Sequence, residues 1–425
     1  MDVTVTNSVV VKPASETPQH QLWLSNLDFF TQRHTVTAYI YSADSHFNVC
    51  VLQTLKEALS KALVYFYPLA GRLIFDAAGR IAVDCNGDGV VFVEAVTDSQ
   101  VDDLKDLGST SQLEPFIPAV NHSDGLLTAI PPLILQVTRF KCGGIALGLK
   151  ISHILVDGTS ALHFLKTWCD IARGSDIRLP PIIDRSALRA RNPPQPSFVH
   201  HEYAPPPSFI DREKTKQEIS FERFTLSKEQ VNSLKEKALD KHTQKPYTTF
   251  EALAAHVWKC CCAARDLSEK QKSKLYIAVD ARNRLVPSLP SGFFGNARFF
   301  AALTDFSGNI VSKPIWYGAG KIHEEIIKMD GEYLRSLLDY LELNPGFSLP
   351  ADTFRCPNMK ITSWRLPLYD ADFGCGKPIF MGHASMLPEG QCYILPSSNE
   401  DGTVIISLTL FADHMSRFRE LFYQL

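Results

Sequence analysis

At 425 residues, 45% hydrophobic and 21% charged, the chain has the composition of an ordinary soluble globular protein long enough for two cores of about 200 residues each. Its 43 Lys+Arg and 46 Asp+Glu residues leave a net charge of −3, with both signs spread along the sequence and no basic stripe to neutralise phosphates. Nucleic-acid binding therefore has no footprint, and no apolar run approaches the ~20 residues of a membrane span.

The first residues, MDVTVTNSVVVKPASETP, lack the charged-then-apolar form of a signal peptide, and the last, FRELFYQL, carry no retention or lipidation tag. A cytoplasmic location is expected. In LQTLKEALSKAL, Leu52, Leu55, Leu59 and Leu63 recur at intervals of three and four, which predicts an amphipathic helix. Pro68 and Gly71 end it, and the strand GRIAVDC follows. Residues 144–158, GIALGLKISHILVDG, open with alternation: Ile145, Leu147, Leu149 and Ile151 face one way, Ala146, Gly148, Lys150 and Ser152 the other. That period predicts a half-buried strand ending at His153, with Asp157 and Gly158 turning into a helix through Leu162, Leu165 and Trp168 to a stop at Gly174.

Between residues 180 and 207 the sequence PPIIDRSALRARNPPQPSFVHHEYAPPP holds eight of the 26 prolines. It predicts an extended surface crossover, residues 181–212, between an N-terminal domain (1–180) and a C-terminal domain (213–425). In the second half, Thr248 with Glu251 three residues on forms a capping box before a buried stripe of Phe250, Leu253 and Val257. The strands KLYIAVDAR and TVIISLTLFA follow, so both halves read as mixed α/β. The ten cysteines show no CxxC spacing, and Cys260, Cys261 and Cys262 on one helix point about 100° apart. Neither a metal site nor a disulfide is expected.

Two motifs carry chemistry. His153 stands at a strand end among Ile154, Leu155 and Val156, apolar neighbours that keep an imidazole neutral and able to accept a proton. Such a group is a general base for an alcohol or amine attacking a carbonyl. No GxSxG, HExxH, dinucleotide or P-loop pattern accompanies it. The second motif, ADFGCGKP, makes a tight turn at Asp372 and Gly374, and no kinase loop accompanies its Asp-Phe-Gly.

Together, His153–Asp157 midway and Asp372-Phe373-Gly374 near the end resemble the HxxxD and DFGWG signatures of the plant BAHD acyltransferases, with YPLAGR, FEALAAHVWK, YIAVDARNR and FFGNARFF in matching order. Longer stretches, among them TFRCPNMKITSW and YLRSLLDYLEL, resemble hydroxycinnamoyl-CoA:shikimate/quinate hydroxycinnamoyltransferases. The resemblance implies an α/β (α+β) fold of two chloramphenicol-acetyltransferase-like domains, each a mixed sheet flanked by helices, about a central tunnel. It implies a monomer with no permanent cofactor, an acyl-CoA co-substrate and a small alcohol acceptor. His153 would be the base. Asp157 would pair with Arg282 of the other domain, and Asp372 and Gly374 would shape a structural turn. His34, Thr37 and Tyr39 would line the acyl pocket.

Departures from the family pattern bear on the substrate. HHAADG in shikimate and quinate enzymes is His153-Ile154-Leu155-Val156-Asp157-Gly158 here, three aliphatics that should narrow the nearby tunnel. Cys375 stands where the family has tryptophan, which should alter the cavity near the reacting centre. Arg365 in TSWRLP is the candidate grip on an acceptor carboxylate, in a segment one residue shorter than the family's TSWxRLP. Three readings follow: a hydroxycinnamoyltransferase to an acidic acceptor, the same chemistry with another acyl-CoA and a less polar alcohol, and a non-catalytic binder of CoA esters.

Overall fold

The computed structural model describes residues 1–31, 33–43, 49–104, 110–119, 130–209, 218–240, 246–345, 349–350, 352–399 and 401–425, the side chains of 49–51 excepted. Two six-stranded mixed sheets organise it. The first runs in the order Thr4–Val11, Val90–Thr97, Leu133–Phe140, Ile145–Ser152, His34–Tyr41, Phe380–His383. The second runs Arg298–Phe306, Lys272–Asp280, Met359–Ser363, Gln391–Pro396, Val404–Phe411, Ile219–Leu226. A small three-stranded sheet, Gln21–Leu22, Ile81–Asp84 and Arg72–Phe75, flanks the first.

The helix Val49–Tyr65 buries Leu52, Leu55, Leu59 and Leu63, as their spacing dictates, and packs beside Gly158–Ala172. Trp168 in the second helix is fully buried, and its indole N–H donates to the Leu55 carbonyl at 2.9 Å, tying the two together. In the other lobe the Thr248–Glu251 capping box starts Thr249–Ala264. That helix is covered by Ile315–Lys328 and Ala412–Phe422, so its buried surface extends well beyond the Leu253–Val257 stripe to include His256 and all three adjacent cysteines. Nine cysteines are free thiols; the side chain of Cys50 lies outside the described residues. Among the described residues no helix is long and apolar enough to cross a membrane.

Three expectations need correction. The strand Ile145–Ser152 is covered on both faces, because Phe116, Phe140 and Val101 close over Ala146 on the side read as exposed. The proline-rich segment is no loose crossover: Arg185 and Leu188 are buried, and Asp339 accepts from the backbone N–H of Arg191 and Gln195 at 2.8 and 2.9 Å. Nor does the boundary at residue 213 assign every strand. Phe380–His383 pairs antiparallel with His34–Tyr41 in the first sheet, and Leu368, Phe373 and Met381 pack in the first lobe's core.

A tight packing point is Gly148, where a Cβ would lie 2.1 Å from the Phe116 carbonyl oxygen. Backbone against backbone leaves nothing flexible to yield. Gly148→Ala is expected to destabilise by about 1–3 kcal/mol, read as a lower thermal unfolding midpoint; an unchanged midpoint would show that the Phe116 turn moves aside freely.

Candidate active site

Between the lobes lies a cavity of about 290 Å³. One wall comes from the first lobe through Thr37, Tyr39, Leu149, Phe164 and Leu165; the facing wall comes from the second sheet through Ala278, Arg298, Lys360, Thr362 and Tyr393. His153 lines it from the loop that leaves Ile145–Ser152.

Its backbone is held from both sides. The His153 N–H donates to the Arg33 carbonyl at 3.0 Å, and the Asn296 side-chain amide donates to the carbonyls of His153 and Ile154 at 2.9 and 3.2 Å. The same amide donates to Asp28 at 2.8 Å, whose carboxylate meets the fully buried Arg185 at 2.9 Å. The loop is thus pinned by groups from three separate stretches of chain, one with Asp28 and Arg33, one with Arg185 and one with Asn296.

Asp157 serves the same end. It caps the helix Gly158–Ala172 by accepting from the Ser160 N–H at 3.0 Å, and it accepts from the Ala297 N–H, also at 3.0 Å. Arg282 of the other lobe grips both its oxygens, Nη1 to Oδ2 and Nη2 to Oδ1, each at 2.9 Å. Burial pushes this carboxyl up, but Arg282 and the two amides win and hold it below the usual carboxylate range. With both oxygens spent, Asp157 orients the loop and makes no hydrogen bond to His153.

The imidazole is kept neutral. Burial first, then the neighbouring Arg298 and Lys360, push His153 down to about 3, against a hydrogen bond to its own backbone and the charge of Asp157. A neutral base facing a cavity between two lobes suits deprotonation of a hydroxyl or amine beside a bound electrophile.

The Transferase family matches residues 1–425. The chain belongs to that family, the BAHD acyltransferases. Over the full length of both chains it is 49% identical to shikimate O-hydroxycinnamoyltransferase of Nicotiana tabacum and 44% identical to rosmarinate synthase of Plectranthus scutellarioides. The crystal structure of vinorine synthase superposes with a TM-score of 0.77 at 25% identity, over 98% of this chain and 96% of that one.

Within this BAHD enzyme His34, Thr37, Tyr39 and Val156 reach the cavity, and the His34 ring meets the Pro131 carbonyl at 3.0 Å. Three residues expected to face substrate do not. Ile154, like Leu155, is fully buried in the first lobe's core, because the turn after Ser152 rolls only Val156 toward the cavity. Arg365 is exposed: Ser363, Trp364 and Leu366 line the cavity, and the arginine points away. In the shortened segment it comes directly after the tryptophan, and Leu366 takes the inward place. Cys375 also lies off the cavity, half-buried against the first lobe's core.

The Asp372 turn explains that position. Its carboxylate accepts from the N–H of Gly374 and Gly376 at 2.8 and 2.9 Å, with both glycines at φ +99°. Phe373 sits edge-on to Trp168 at 4.7 Å, the Tyr41 hydroxyl donates to the Ala371 carbonyl at 2.7 Å, and Arg173 donates to the Asp372 carbonyl. The motif clasps the helix that Asp157 caps. Sequence reasoning missed Asp28, Arg185 and Asn296 beneath the loop, and Arg298, Lys360, Thr362 and His383 in the cavity wall. The available signal was a lysine between Met359 and Ile361, a charge set in an apolar strand.

Two predictions follow from this geometry. Asp157→Asn leaves Arg282 with only the half-exposed Asp280, 3.1 Å from Nη1, as counter-charge and is expected to cost roughly 1–3 kcal/mol, seen as a lower urea midpoint together with lost activity. Full stability in that variant would remove the pair from its structural part. Secondly, burial, followed by Arg223 and Lys360, pushes His383 down to about 3 while it is 4% exposed. The unfolded imidazole titrates near 6.5, so below that pH the unfolded state binds the extra proton and stability falls, by up to about 1.4 kcal/mol per pH unit. The Asp157 contribution, a lowered carboxyl, is retained until the pH drops below its unfolded value of 3.8. His383→Gln should therefore flatten the decline between pH 6.5 and 4 in unfolding titrations; an unchanged slope would place the missing protons elsewhere.

Proposed function

We propose that the enzyme transfers a hydroxycinnamoyl group, p-coumaroyl or caffeoyl, from its CoA thioester to the hydroxyl of a small acceptor such as shikimate or quinate. The observation that carries this reading is His153 itself: neutral, rigidly held, and opening on a cavity lined by strands of both sheets. Full-length likeness to enzymes named for hydroxycinnamoyl transfer supports the donor.

His153 Nε2 takes the acceptor's hydroxyl proton as that oxygen attacks the thioester carbonyl. The tetrahedral oxyanion collapses, the C–S bond breaks, and the proton on the imidazolium passes to the leaving CoA thiolate. Nothing is attached to the protein at any step. Leu149, Leu165 and Phe164, with Thr37 and Tyr39, offer a largely apolar wall suited to an aromatic acyl chain. Asp157, Arg282, Asp372 and Gly374 keep the loop and its helix in place.

The test is release of CoA thiol from p-coumaroyl-CoA and from acetyl-CoA, each with shikimate, quinate and a panel of neutral phenolic alcohols. His153→Ala is expected to lower kcat by about 10²–10⁴ while leaving the fold intact by circular dichroism. Release that survives the substitution would remove His153 as the base.

A further inference from the structure

The transfer chemistry leaves one wall of the cavity unexplained. Along Met359–Ser363 the side chains alternate: Met359 and Ile361 are fully buried in the second lobe's core, whereas Lys360 and Thr362 line the cavity. Lys360 is a cation at a core-strand position, 6% exposed. Its ammonium lies over the rings of Phe354 and Tyr393, at 5.0 and 5.5 Å. Arg298 lies over Phe300 at 4.8 Å, and the Phe300 and Phe354 rings are 5.9 Å apart, so adjoining rings carry the two charges.

Neither cation forms a salt bridge among the described residues; Arg298 donates to the Thr31 hydroxyl at 2.9 Å. Arg33, on the same cavity, adds a third positive group. The Thr362 hydroxyl oxygen and His383 Nε2, both buried in this wall, have no hydrogen-bond partner among the described residues. Buried cations and orphaned polar atoms cost stability unless something meets them, and among the described residues the two carboxylates on this cavity, Asp157 and Asp280, are both engaged by Arg282 and neither forms a salt bridge with Lys360 or Arg298. Burial, with Arg298 and Arg33 alongside, holds the Lys360 ammonium well below the usual lysine range, in keeping with a site short of negative charge. The opposite wall is apolar and suits the acyl chain.

We propose that Lys360 and Arg298, with the Thr362 hydroxyl beside them, hold a carboxylate of the acceptor, which makes the acceptor a hydroxy acid and Lys360 the residue that selects it. This rests on the reading of the cavity as the acyl-transfer site. It also moves the carboxylate grip from exposed Arg365, in the loop after Met359–Ser363, back to Lys360 and Thr362 within that strand and across to Arg298 on Arg298–Phe306.

The experiment compares shikimate with its methyl ester as acceptors of p-coumaroyl-CoA, in the wild type and in Lys360→Met. The variant is expected to raise KM for shikimate roughly 10- to 100-fold, the loss of one or two charge-assisted hydrogen bonds. KM for p-coumaroyl-CoA and turnover of the ester should stay within about twofold. Removing an unpaired buried cation should leave the thermal midpoint unchanged or raised, and Lys360→Arg should keep the preference for the acid. Equal losses with acid and ester, or a wild type that prefers the ester, would overturn the assignment. So would a variant that fails only with a carboxylated donor such as malonyl-CoA, since the anion would then belong to the acyl group. Wild-type turnover of neutral alcohols without any hydroxy acid would overturn it while leaving acyl transfer standing. Absence of CoA release with every acceptor would instead sink the reading of the site.

Discussion

The bidentate contact between Asp157 and Arg282 is the constraint on which the site depends, because it joins the two lobes at the loop that carries His153. Desolvating a carboxylate and a guanidinium costs several kcal/mol per ion, so such a pair is seldom a net source of stability. Its value here is positional. Every oxygen lone pair used by Arg282, Ser160 and Ala297 is a direction in which the loop cannot shift. The Ser160 hydroxyl adds a second tie, accepting from Arg282 and from the Gly295 N–H at 2.9 and 3.0 Å. Beneath it, Asn296 links Asp28 to the carbonyls of His153 and Ile154, so the catalytic backbone rests on a hydrogen-bonded floor shared by both lobes.

That arrangement separates two tasks that one carboxylate could have combined. A carboxylate hydrogen-bonded to the imidazole would raise its affinity for a proton. Asp157 instead acts on His153 only through space, and burial with Arg298 and Lys360 outweighs it. The imidazole is therefore neutral across the physiological range. Surplus positive charge in the cavity serves both ends: it keeps the imidazole unprotonated, and it leaves the wall receptive to an anion.

Much of this was legible in local pattern and much was not, for identifiable reasons. The Leu52–Leu63 spacing, the Thr248 capping box and the strand leading to His153 depend on neighbours in sequence, and each took the expected form. Burial of the second face of Ile145–Ser152 depends on Phe116 and Val101, far away in the chain, and no period records it. Arg365 shows the same limit at finer scale. Its distance to Asp372 matches the family, but the shortened segment gives the inward position to Leu366. Ile154, Leu155 and Cys375 looked decisive because they depart from a motif. A motif position is not a cavity position, and the loop geometry turns all three into core or clasp.

Lys360 and Arg298 were passed over for the opposite reason: a hydrophobic period marks what a strand buries, and a single charge in it reads as an interruption. In the folded chain that interruption is the informative residue. A core strand can carry an ammonium at 6% exposure only if the rings of Phe354 and Tyr393 shield it and an anion visits it, or if it surrenders its proton. The crossing of Phe380–His383 into the first sheet bears on the same point. It brings His383 against Trp364 and Tyr393, with ring centroids 4.2 and 4.3 Å away, so a strand hydrogen-bonded to one lobe packs against the charged wall of the other. The cavity's two walls cannot then drift independently, and a cationic wall held at fixed distance from His153 can position a charged acceptor as well as attract it.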